Sequence, residues 1–156
     1  MNSSGKGKSP DKTRPSIGAQ DGVRDVDYRA LARFRYEMRK FMAFSEAAAH
    51  GQNLTPQQHQ ALLAIKGFSQ DKPISVGELA KLLLVRHHTA VELVDRMTKL
   101  GLIARVIDPD DGRRILLRLT AEGQRRLRKL SKIHVQELSA VSGALSEILR
   151  HFRRPV

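Results

Sequence analysis

The chain has 156 residues, of which 40% are hydrophobic, which is enough for the core of one domain and too many for a globally disordered protein. Its 28 lysines and arginines outnumber its 16 aspartates and glutamates and give a formal charge of +12. This charge favours a polyanionic partner (DNA, RNA or an anionic membrane surface), although a generally basic, well-solvated protein would have the same composition. The absence of cysteine excludes disulfides, thiolate metal sites and a cysteine-based redox switch.

The first 24 residues are rich in Ser, Gly, Lys, Pro and Asp and have almost no large apolar side chains. Such a segment cannot bury enough surface to offset its ordering entropy, so we predict a disordered basic tail over 1–24. The tail either adds non-specific affinity for DNA or only increases solubility. It contains no apolar run typical of a secretory signal, and no later stretch approaches the roughly 20 apolar residues of a membrane-spanning helix. These features predict a cytoplasmic protein without a membrane partner.

Helical spacing of apolar residues begins after the tail and predicts a first helix over 25–50. Gly51 is expected to end this helix in the left-handed conformation. A second helix is predicted to start at Thr55, because Thr55 and Gln58 have the spacing of a capping box and Pro56 suits the first turn.

A second capping box, Ser75 to Glu78, predicts a short third helix. A tight turn around 85–87 then leads into a fourth helix over 89–100, and two short helices joined in this way form a helix-turn-helix. The segments 102–107 and 115–119 are predicted strands, and the turn-forming residues 108–114 between them indicate a hairpin.

Thr120 is expected to cap a last helix of about 30 residues, which would be about 45 Å long. A globule of this chain length has a diameter of only about 40 Å, so the helix is longer than the body on which it could pack. Its apolar seam and that of the first helix therefore predict a homodimer joined through 25–50 and 121–152. The residues predicted to form the dimer interface are Leu31, Leu138, Val141, Leu145, Ile148 and Phe152.

The order of these motifs resembles the MarR family of multiple-antibiotic-resistance regulators. The matching pieces are Leu54-Thr55-Pro56-Gln57-Gln58, Leu79-Ala80, the run from Leu93 to Ile103, the run from Asp108 to Arg114, and Leu119-Thr120-Ala121-Glu122-Gly123. The resemblance implies one domain over 25–156, mainly α with a small β-wing. Its winged helix-turn-helix, 54–120, would be flanked by long N- and C-terminal dimerisation helices.

A recognition helix of this kind enters the major groove of DNA and presents its first residues to bases and phosphates. In this sequence those residues are Arg86, His87, His88, Thr89 and Glu92, followed by Arg96. Glu92 departs from the family pattern and could accept a hydrogen bond from a cytosine amino group or point to solvent. Arg96 and the neighbouring Asp95 suit an ion pair or a phosphate contact better than base reading.

The resemblance also implies that Arg113 in the wing points toward the minor groove and is steadied by Asp111, with Arg114 following. An ordinary charged hairpin is the alternative interpretation of the same residues.

Members of the family typically repress genes and release DNA when a small phenolic or anionic ligand binds between the dimerisation and DNA-binding parts. By resemblance, Met38, Phe41, Met42 and His59 would border this cleft, although apolar stripes on helices usually belong to a core. No cofactor and no metal site are expected, since the adjacent His87 and His88 make a poor chelate.

No motif of an enzyme is present, so we predict that the protein is not one. The predicted function is that of a ligand-responsive repressor, a homodimer that binds a pseudo-palindromic operator in double-stranded DNA and responds to a small aromatic or anionic effector. The alternative is a basic winged-helix module that binds RNA or protein without a specific operator.

Overall fold

The computed structural model describes residues 23–69 and 72–153. In this part of the chain the elements are α1 (Asp25–His50), α2 (Pro56–Phe68), α3 (Val76–Leu82), α4 (His87–Lys99), β1 (Ile103–Ile107), β2 (Ile115–Leu119) and α5 (Ala121–Phe152). Their order confirms the predicted fold class, a mainly α chain with a small wing and a long helix at each end. The predicted tail, 1–24, lies outside the described residues except for 23–24.

Both predicted capping boxes are confirmed at the starts of α2 and α3. The Thr55 hydroxyl accepts a hydrogen bond from the Gln58 amide at 3.2 Å, and the Gln58 side chain accepts one from the Thr55 amide at 2.9 Å. Ser75 and Glu78 make the same reciprocal pair, at 3.3 and 2.7 Å. Each cap satisfies backbone donors that the first turn of a helix leaves unpaired and contributes about 1 kcal/mol to stability.

The end of α1 differs from the prediction, which placed a left-handed glycine at Gly51. Gly51 is right-handed, with φ of −61°, and the left-handed residue is Asn53, with φ of 54°. The Leu54 amide donates to the Ala49 carbonyl at 3.0 Å and closes the turn around Asn53. Asparagine tolerates this conformation better than most residues, so the chain continues past Gly51 before it reverses direction.

The wing is an antiparallel pair in which Ile103 lies opposite Leu119 and Ile107 lies opposite Ile115. The other edge of β2 is hydrogen-bonded to the segment before α3, where the Leu117 amide donates to the Ile74 carbonyl at 2.9 Å. The hairpin is therefore connected directly to the helix-turn-helix and does not stand away from the domain.

Residue Gly123 allows α5 to begin directly against the wing. A Cβ atom at this position would lie 2.0 Å from the Leu102 carbonyl oxygen. Thr120 caps the helix by accepting a hydrogen bond from the Gly123 amide at 3.1 Å, and its own hydroxyl donates to the Gly101 carbonyl at 2.6 Å. Below this junction lies the aliphatic core, whose largest fully buried side chains are Leu62, Ile65, Leu79, Val94, Met97, Leu102, Ile103, Leu117 and Leu130.

Helices α1 and α5 pack against each other and still expose apolar side chains. Of the residues predicted to form the dimer interface, Leu31, Leu138 and Phe152 are exposed by 46, 44 and 43%. Val141 and Leu145 are half-buried, whereas Ile148 is buried within the single chain. Ile148 thus contributes to the α1–α5 packing, and the exposed residues leave an apolar surface on both long helices.

Candidate nucleic-acid interface

Helix α4 presents its polar residues on the side opposite to its core contacts. Ala90, Leu93, Val94 and Met97 are buried, because they recur at helical spacing along one face. The helix begins at His87, and the preceding Arg86 does not cap it with its side chain. The first amide groups of α4 are therefore free to bind an anion such as a phosphate.

The residues predicted to read DNA lie along this exposed face and at its start. Those that are exposed are Arg86, His87, His88, Glu92 and Arg96, and Thr89 is half-buried. The Glu92 carboxylate lies 3.9 Å from the Arg96 guanidinium, one helical turn further along. At this distance the charge of Arg96 partly offsets that of Glu92, which would otherwise only repel phosphate.

An ion pair between Asp95 and Arg105 connects α4 to β1. The sequence indicated an ion pair for Asp95 but did not identify its partner. Arg105 lies opposite Leu117 in the strand pair, on the face of the hairpin that meets α4. Sequence reasoning missed Arg105, and the signal that could have found it is a basic residue inside an otherwise apolar strand.

The two consecutive wing arginines have different surroundings. The side chain of Arg113 is 98% exposed, and its amide donates to the Asp111 carboxylate at 3.1 Å. The Asp111 carboxylate is also 3.9 Å from the Arg113 guanidinium, so it fixes the backbone of the turn more closely than the side chain. Arg114 is half-exposed and reaches the Glu78 carboxylate in α3 at 3.5 Å.

One groove lies between the wing and the start of α4. It is bordered by Ser75, Val76, Gly77, His87, Val91, Arg105, Arg113, Arg114 and Ile115. Three arginines and a histidine thus face a cleft between two elements that the predicted fold brings to DNA. Arg105 and Arg114 are paired with Asp95 and Glu78, so the largely exposed Arg113 is the cation of this cleft best placed to meet a polyanion.

The four residues predicted to border an effector cleft separate into two groups. Met38 and Met42 are exposed and line a shallow depression on α1. Phe41 and His59 instead point to His134 of α5, with ring centroids 5.9 and 4.7 Å from it. Burial, together with the nearby His134, lowers the pKa of His59 below its ordinary value.

Comparison with known proteins identifies the family. The model of the MarR family matches residues 52–114. An uncharacterized HTH-type transcriptional regulator of Bacillus subtilis, YcgE, is 30% identical over 115 residues, which cover 73% of this chain and 67% of that protein. The chain belongs to the MarR family. This confirms the family resemblance and the sequence-based prediction of a transcriptional regulator.

Solved structures agree with the fold of this MarR-family chain. RV1404 from Mycobacterium tuberculosis is 26% identical, with a TM-score of 0.65 over 86% of this chain and 94% of that one. A Staphylococcus aureus MepR mutant bound to an oligodeoxyribonucleotide is 20% identical, with a TM-score of 0.62 over 81% of this chain and 98% of that one. At that identity the likeness to MepR extends to the fold alone.

No group of three His, Asp or Glu side chains within 23–69 and 72–153 is arranged to hold a metal ion. Among the helices in the described part of the chain, none is long and apolar enough to cross a membrane.

Proposed function

We propose that this MarR-family regulator acts as a homodimer that binds double-stranded DNA at a pseudo-palindromic operator and represses transcription. The observation that carries the proposal is the pairing of a fully exposed Arg113 at the wing with the exposed start of α4 across one groove. A helix and an arginine that border the same groove can enter the major groove and the neighbouring minor groove of DNA, respectively.

The roles of the individual residues follow from their exposure and partners. Arg86, His87, His88 and Thr89 bind bases and phosphates at the start of α4, where the free helix amides add to their attraction. Arg113 enters the narrow minor groove, where negative potential is strongest. Glu92 and Arg96 act as a pair further along the helix.

The proposed dimer uses the apolar surface of α1 and α5. Leu31, Leu138 and Phe152 would be covered by a second copy, since large apolar groups exposed together usually mark an interface. A two-fold dimer places two recognition helices about 34 Å apart, one turn of DNA, and this matches an inverted repeat.

The proposed effector is a small aromatic or anionic molecule that binds between the long helices and the DNA-binding part. Phe41 and His59 support this location, because their rings meet at the junction of α1, α2 and α5. An effector releases DNA only if it binds more tightly to a dimer whose helix spacing does not fit the operator.

Selection of fragments from the source genome by the purified protein, at about 150 mM salt, tests the proposal. Recovery of a few fragments that share an inverted repeat would support a specific regulator, and their neighbouring genes would suggest the effector. Recovery of all fragments alike, with a steep loss of binding as salt rises, would instead support the alternative of a general polyanion-binding module.

A further inference from the structure

Asp108 is a buried carboxylate at the beginning of the wing turn. The residue is 1% exposed, and its amide donates to the Arg114 carbonyl at 3.0 Å, which closes the hairpin. One carboxylate oxygen, Oδ1, accepts from the Asp110 amide at 3.0 Å and lies 2.9 Å from the Lys72 ammonium group. A charged group is rarely buried in a surface hairpin unless its partners hold it there.

The other oxygen of Asp108, Oδ2, is buried and has no hydrogen-bond partner. The Arg114 guanidinium lies 3.9 Å from Oδ2, and the same guanidinium lies 3.5 Å from the Glu78 carboxylate. Arg114 is therefore shared between the wing and α3 at distances longer than a strong ionic hydrogen bond.

These charges connect two segments that are distant in sequence, the start of α3 and the wing turn. Lys72 precedes α3, Glu78 lies in its first turn, and Asp108 and Arg114 stand at the two ends of the wing turn. The hydrogen bond from Lys72 holds the pKa of Asp108 below its ordinary value, so the carboxylate is ionised at neutral pH.

We propose that Asp108 is a positioning residue for DNA recognition, which fixes the wing on the helix-turn-helix through Lys72 and Arg114 so that Arg113 projects toward DNA. The inference rests on the proposed function, because it assigns the DNA contact to Arg113 and assigns to Asp108 the task of orienting the wing that carries Arg113. Arg114 belongs to the positioning group because it reaches Glu78 of α3, whereas the 98% exposed Arg113 reaches Asp111 of its own turn at 3.9 Å.

The substitution Asp108→Asn keeps an acceptor at the position of Oδ1, removes the negative charge of the carboxylate and places an amide donor at the position of Oδ2. Removal of a negative charge near DNA would by itself strengthen DNA binding. A wing that is no longer held in place on the helix-turn-helix would instead weaken it. We expect binding to the best fragment from the genome selection to become about tenfold weaker. Asp110→Asn is the matched control, because Asp110 lies in the same turn, also contacts Lys72 and is largely exposed, and it should change binding by less than about twofold.

A double-mutant cycle with Arg113→Ala distinguishes positioning from a general loss of stability. If Asp108 acts through Arg113, then Asp108→Asn weakens binding by less than about twofold once Arg113 is alanine. The same tenfold loss in both backgrounds would overturn the inference, as would Asp108→Asn binding as tightly as the wild type. Should Asp108→Asn not fold, Arg114→Lys replaces it in the cycle and must show the same coupling. A wild-type protein that selects no DNA would contradict the proposed function itself. That result differs from the two outcomes that would overturn the role of Asp108.

Discussion

The imidazole ring of His59 in α2 lies 4.7 Å from the ring of His134 in α5, measured between centroids. The Nδ1 atom of His134 is 2.8 Å from the Leu130 carbonyl oxygen, which can only accept, so Nδ1 carries the proton. In the neutral ring, the Nε2 atom can then accept from the Ser45 hydroxyl, which lies 2.9 Å away. The neutral form of His134 is thus satisfied on both nitrogens, beside a His59 that is only 4% exposed.

The buried His59 should make the stability of the protein depend on pH. The pKa of His59 in the folded state is below its ordinary value of 6.5, so the unfolded chain binds the proton more readily. Its contribution to stability is complete above pH 6.5 and is lost as the pH falls through the lowered pKa. His59→Phe should flatten the dependence in this window, as measured by urea unfolding at about pH 7.5 and about pH 5. The exposed His88 supplies the control, and an equal slope for His88→Phe and His59→Phe would contradict the assignment.

Replacement of Leu84, in the turn before α4, by glycine should stabilise the protein. Leu84 is left-handed, with φ of 55°, and its side chain is 93% exposed, so little packing is lost on replacement. Leu84→Gly should raise the free energy of unfolding by up to about 1 kcal/mol, because relief of backbone strain exceeds the entropy that glycine adds to the unfolded chain. Leu82→Gly, within α3, should instead lower it by about 1 kcal/mol in the same thermal unfolding experiment. A loss of stability at both positions would show that the turn carries no strain.

Two glycines in α5 should respond to alanine with opposite signs. A Cβ at Gly123 would meet the Leu102 carbonyl oxygen at 2.0 Å, whereas nothing lies within 4 Å of one at Gly143. Gly123→Ala should cost at least about 2 kcal/mol, since backbone must move to relieve the overlap. Gly143→Ala should add about 0.5–1 kcal/mol through helix propensity. Chemical unfolding of both variants measures the difference, and a mild effect at Gly123 would mean that α5 can shift away from β1.

Local signals in the sequence account for most of the fold. The Thr55 and Ser75 boxes and the cap at Thr120 depend on residues at most a few positions apart, and all three are present in the structure. The prediction at Gly51 was wrong, because glycine permits the left-handed conformation without requiring it.

Most of the contacts that hold the wing and the long helices in place could not be predicted from local sequence signals. The pairs Lys72–Asp108 and Glu78–Arg114 are separated by about 36 residues, and nothing in their local sequence shows that the wing returns to the start of α3. The partner of His59 likewise lies on another helix. The strands and the turn of the wing follow from its local sequence, and the side chain of Arg113 in that turn is 98% exposed.

The dimer should depend on the apolar surface of α5. Leu138→Glu places a charge where a second copy would bury a leucine, and it should yield monomers at micromolar concentration, because burying an unpaired charge costs several kcal/mol. The adjacent Ser139 is also exposed but points to a different side of the helix, so Ser139→Glu is the charge-matched control. Light scattering gives the mass of each. A dimeric Leu138→Glu protein would exclude this part of α5 from the interface.

The most direct test of the account compares the DNA affinity of Arg113→Ala with that of Arg39→Ala by fluorescence anisotropy at about 150 mM salt. Both variants lose one exposed arginine, in the wing and on α1 respectively. We expect binding about tenfold or more weaker for Arg113→Ala, less than about twofold weaker for Arg39→Ala, and unchanged melting for both. Equal affinities for the two variants would contradict recognition through the wing.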